Sequence, residues 1–80
     1  MKKIIKFYGN TIELNLVPIL YTKIDPYIRN EKLVKANSYI KKKHNGSYQY
    51  YYYKENASDG IPAGYYTRVF TIEDSQETLN

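Results

Sequence analysis

Residues 38–55 read SYIKKKHNGSYQYYYYKE. Asn45-Gly46 lies between two runs rich in β-formers, and Asn-Gly in that setting is the strongest short-range signal for a β-hairpin. The second run holds five tyrosines in six positions, Tyr48 and Tyr50 to Tyr53. Side chains alternate faces along a strand, so Tyr48, Tyr50 and Tyr52 share one face and Gln49, Tyr51 and Tyr53 the other. A thin sheet in a small domain has one core face. One tyrosine row therefore faces solvent or a partner, unless this strand is central and covered on both sides.

The flanking sequence extends the β pattern. Residues 2–16, KKIIKFYGNTIELNL, predict a second hairpin turning at Gly9-Asn10, with glycine supplying the positive φ of a type II′ turn. Ile12, Leu14 and Leu16 alternate with Glu13 and Asn15, the period of a half-buried strand. Pro18 lacks a ladder donor and demands an edge or a break, beyond which residues 19–24 continue extended. Asp25 and Pro26 suit an N-cap and a first helical position, so a short helix near 26–34 follows, with a loop as the competing reading. Residues 56–64 are a loop by composition, and 65–73, YYTRVFTIE, a further strand. The expected fold is mostly β or α+β. It has about five antiparallel strands in two hairpin-built halves, as a small barrel or a twisted sheet with one helix on it. Residues 1–73 form one small domain and 74–80 a polar, acidic tail.

Composition narrows the chemistry. The 80 residues contain no cysteine and a single histidine, His44, so neither disulfides nor a zinc cage is expected, and no cofactor is implied. No run approaches the roughly 18 apolar residues of a membrane span. Lys2 and Lys3 open like a signal peptide, but Lys6, Asn10, Glu13 and Asn15 interrupt any apolar core, so a cytoplasmic chain is expected, in a host cell if viral. Lys, Ile, Asn and Tyr supply 37 of the 80 residues, and all four have AT-rich codons, which suits a low-GC phage or mobile element. Net charge is +4, split unevenly: residues 1–54 carry eleven Lys/Arg against three acids, and residues 55–80 carry Arg68 against five. A basic body with an acidic end points to a polyanionic partner.

Lys41, Lys42 and Lys43 lie across the Asn45-Gly46 turn from the tyrosines. Lysines supply phosphate contacts, and exposed rings stack bases. The competing readings are structural: tyrosine favours strands, and lysines guard a sheet edge. His44 reads as a solvated turn residue. No phosphate loop, Ser/His/Asp set or metal spacing appears, so a non-enzymatic binding protein is expected.

Residues 38–73 resemble the three-stranded arm-type DNA-binding domain of tyrosine integrases. The residues that carry the resemblance are Lys41 to Lys43, Asn45-Gly46, the aromatic run Tyr48 to Tyr52, Asp59-Gly60, and Phe70 with Thr71. It implies strands laid in the DNA major groove. Pro62 and Gly64 lengthen the second loop, Arg68 alone stands where that family is rich in Lys and Arg, and the N-terminal hairpin has no counterpart. The expected function is nucleic-acid binding, DNA or RNA, through Lys41, Lys42, Lys43, Tyr48, Tyr50, Tyr52 and Arg68. The alternative is a protein-binding module, such as a phage-encoded inhibitor of a host enzyme, with a sheet-edge homodimer as a sub-case.

Overall fold

The computed structural model describes residues 1–72; the expected tail lies outside the described residues. Strands β1 (Lys2–Phe7) and β2 (Asn10–Asn15) form a two-stranded sheet. Strands β3 (Val17–Pro18), β4 (Ser38–Lys42), β5 (Tyr48–Lys54) and β6 (Gly64–Phe70) form a four-stranded antiparallel sheet in the order β3-β6-β5-β4. The mostly β expectation holds, with six strands, and the described residues close no barrel.

The first hairpin turns one residue earlier than its sequence suggests. Phe7 pairs with Asn10, so the loop is Tyr8-Gly9, with φ of 51° and 77°. Positive φ at both positions makes a type I′ turn, whose twist matches the flanking strands, rather than the II′ turn expected at Gly9-Asn10. The pairing slides by two residues, so the inward faces survive. Ile12, Leu14 and Leu16 are buried as expected. What changes is Tyr8, which leaves the strand for the turn. The Leu16 N–H donates to the Met1 carbonyl at 2.7 Å, and the next residue already belongs to β3, so one extended run passes from sheet to sheet. Pro18 sits on the edge strand, where its missing donor is harmless.

The segment after β3 departs from the extended path expected for 19–24. Ile19 donates to the Tyr65 carbonyl, and the chain then makes a 3-10 turn over Tyr21–Lys23. That turn drives Ile24 into the core at 2% exposure. Arg29 holds it, with Nη1 donating to the carbonyls of Ile24 at 2.8 Å and Tyr21 at 3.3 Å. The expected helix forms: the Asp25 carboxylate accepts from the Tyr27 N–H at 2.8 Å, its carbonyl accepts from the Arg29 N–H, and a wide π-helical stretch, Ile28–Leu33, runs into an α-helical turn, Val34–Ala36. Asn37 ends it in the left-handed region at φ 64°, where asparagine is tolerated. Its carbonyl then accepts from the Tyr53 N–H at 2.8 Å, and this bond starts β4 against β5.

β5 is therefore flanked by strands on both sides and covered on both faces. Under one face lie Ile12, Leu14 and Leu16 of the hairpin, packed with Tyr50, Tyr66 and Phe70. Under the other, Ile24, Ile28 and Leu33 of the helical side pack with Tyr51. Leu33 has no exposed surface. Its replacement by alanine should destabilise by about 2–5 kcal/mol, the usual cost of a buried Leu-to-Ala cavity. Set against a total of about 5–15 kcal/mol for a small domain, that loss should be plain in a urea melt. A melt within experimental error of wild type would mean that the helical cover does not support the sheet.

Candidate nucleic-acid interface

The hairpin of residues 38–55 exists, but its turn is wider than Asn45-Gly46. Lys43 donates to the Ser47 carbonyl at 2.9 Å and Gly46 to the Lys43 carbonyl at 3.3 Å. Gly46 has φ of 85°, so the loop is three residues, His44-Asn45-Gly46, closed by a glycine bulge. The Asn45 side-chain oxygen accepts from the Ser47 N–H and from its hydroxyl at 2.6 Å, which fixes the tip. Ser47 is buried in consequence.

This tip gathers the basic residues. Lys42 pairs across the strands with Tyr48, and Tyr48 with Phe70, so these three share the hairpin-covered face. Lys41, paired with Gln49, lies on the opposite face. Lys41, Lys42, Lys43, His44 and Asn45 line a shallow concavity of about 310 Å³. None of the three lysines makes an ion pair or a side-chain hydrogen bond with a described residue. The ion pair between described residues is Lys2 with Glu13, at 4.0 Å on the hairpin's outer face.

The tyrosines are spent differently from the expectation. The row Tyr48, Tyr50 and Tyr52 does not face solvent, because β5 is the covered central strand. Tyr50 is 3% exposed and offers no ring face to a base. Tyr52 is half-buried, with the Lys3 ammonium 4.3 Å from its ring centre. Tyr48 is half-buried between Phe7, edge-on at 4.8 Å, and Phe70, stacked at 5.7 Å. Tyr51 and Tyr53 of the other row meet the helical side. Arg68 is exposed but stands opposite Tyr50 on β6, two strands from the lysines, beside Val17, Gln49, Thr67 and Val69. Of the expected set, the structure brings together Lys41, Lys42, Lys43 and Tyr48.

Sequence reasoning missed Tyr8. Its ring lies 6.4 Å from that of Tyr48 and 4.5 Å from that of Phe7, and the residue is 72% exposed. The turn of the first hairpin therefore stands beside the basic tip of the second. A reading of Tyr8-Gly9 as the type I′ pair would have found it, since that choice alone takes Tyr8 off the strand.

Among the described residues no group of three or more His, Cys, Asp or Glu side chains could hold a metal, and no helix is long and apolar enough to cross a membrane. Burial is the main reason that the phenols of Tyr50, Tyr51 and Tyr65 sit above their ordinary value of 10.0. The Asp25 charge adds to this at Tyr51, and Tyr53 and Tyr21 add to it at Tyr65, where Arg29 opposes; the Ser38 hydroxyl opposes it at Tyr50. Above pH 10 the native chain thus holds more protons than the unfolded one. Stability should be intact below the ordinary phenol value and fall as the pH rises through the raised ones. Unfolding and tyrosinate absorbance should appear together in an alkaline titration. Smooth ionisation of all eleven tyrosines in a chain that stays folded would overturn that assignment.

Compared with known proteins, the chain matches no family model, no curated protein and no solved structure.

Proposed function

We propose that this chain is a small, non-enzymatic nucleic-acid-binding protein, and that its contact surface is the end of the molecule formed by Lys41, Lys42, Lys43 and His44 with Tyr48. One observation carries the reading: three consecutive lysines stand together at the end of β4, beside a fixed turn, with no acidic partner among the described residues. Uncompensated cations at that density release counterions from a phosphate backbone, which is the main source of non-specific affinity. They face both sides of the strand, so they suit a backbone that wraps the tip. The uneven charge of the sequence agrees with this.

A protein-binding role is favoured by a different feature, the free edge of β4. Lys43 bonds to Ser47 and Asn37 to Tyr53, so the intervening alternation turns the backbone groups of Ser38, Ile40 and Lys42 away from β5. A partner strand could add there. The lysines on that edge oppose casual pairing.

The two roles separate in a titration of labelled oligonucleotides at about 50 mM and about 200 mM salt. The nucleic-acid reading expects affinity to fall steeply between them. Changing Lys41, Lys42 and Lys43 to glutamine should lower the salt slope by about 2–3, at roughly 0.7–0.9 per lost phosphate contact. Affinity that is absent, or flat with salt, would overturn the reading and leave the β4 edge as the surface to pursue.

A further inference from the structure

We infer that Tyr8 is a base-stacking residue and that the preferred target is a single-stranded nucleic acid; this rests on the nucleic-acid reading above. Tyr8 occupies the first loop position of a type I′ turn at φ 51°. Glycine, asparagine and aspartate are at home there, and a bulky side chain at positive φ is an outlier. The stabilising sequence for this turn is Asn-Gly. A tyrosine there gives up turn stability and places a large ring in water, 72% exposed. Strain of this kind is worth reading for function.

The surroundings fit that function. The Tyr8 ring is 6.4 Å from Tyr48, which pairs with Lys42, so an exposed aromatic surface adjoins the unpartnered lysines. Phe7 supports it edge-on at 4.5 Å and lets it project without collapsing onto the sheet. An aromatic face beside a phosphate-binding cation is what a single strand uses, since its bases are free to splay and stack. A duplex hides its base faces. Its major groove, about 12 Å wide, admits a helix or a two-stranded ribbon. The β4–β5 ribbon is not free to enter one, because β5 also pairs with β6 and is covered by the hairpin and the helical side.

Two variants test this. Tyr8→Asn removes the ring and installs the favoured turn pair, so its melting temperature should match or exceed wild type. Its affinity for a single-stranded oligonucleotide should fall about five- to a hundredfold, the usual range for losing a stacked base contact. Tyr8→Phe keeps the ring and should bind as wild type does. Wild type should also prefer the single strand to the duplex of the same sequence. If Tyr8→Asn binds like wild type, or if the duplex is preferred, the inference fails while the nucleic-acid reading stands. If wild type binds neither form, both fail.

Discussion

The structure depends on one strand that is apolar on both sides. β5 carries Tyr50 on one face and Tyr51 on the other, at 3% and 6% exposure. A strand of that kind cannot be left with a wet face. Burying an aromatic side chain is worth a few kcal/mol, and a phenol hydroxyl needs a partner or an outlet when it goes inside. The remainder of the chain is arranged to cover it. The β1–β2 hairpin closes one side with Ile12, Leu14 and Leu16, and the helical side closes the other with Ile24, Ile28 and Leu33.

Two junctions let so short a chain do this. Leu16, at 2% exposure, sits where one extended run leaves the hairpin sheet and joins the main sheet as β3. Asn37 ends the helical segment in a left-handed conformation and bonds to Tyr53 through both its carbonyl and its side-chain amide. Each junction carries the chain from one element to the next with few residues. Tyr66, whose hydroxyl donates to the Pro62 carbonyl at 2.6 Å, anchors the remaining loop in the same manner.

The same constraint decides where binding chemistry can reside. Rings that close the core are not available to a ligand, which removes Tyr50 outright and leaves Tyr52 beneath Lys3. What remains is at the turns, where strands end and covering layers run out. There the lysine cluster of β4 and its turn meets Tyr48 and the exposed Tyr8. The lysines serve the fold as well, since charge on an edge strand discourages pairing with other sheets. Fold and proposed function therefore draw on the same side chains without conflict, because the ammonium groups stay in solvent in either role.

Local elements were legible in the residues themselves. Alternation at Ile12, Leu14 and Leu16, the edge demand of Pro18 and the Asp25-Pro26 start are read from one segment at a time and appear where local chemistry puts them, and the Asn-Gly signal marks a real hairpin whose loop is one residue wider. The lysine cluster at the hairpin tip was legible for the same reason. Burial of the tyrosine rows was set by tertiary structure, which encloses one ring of each, Tyr50 and Tyr51, because the covering layers come from residues distant in the chain. It also decided the turn of the first hairpin. Gly9-Asn10 and Tyr8-Gly9 keep the same inward faces, so periodicity could not separate them; the bond from Leu16 to Met1 and the packing of Phe7 against Tyr48 and Phe70 did. That choice moved Tyr8 into the turn, beside Tyr48, the cross-strand neighbour of Lys42. Alternation along a strand reports which side chains share a face, but not what lies across from that face.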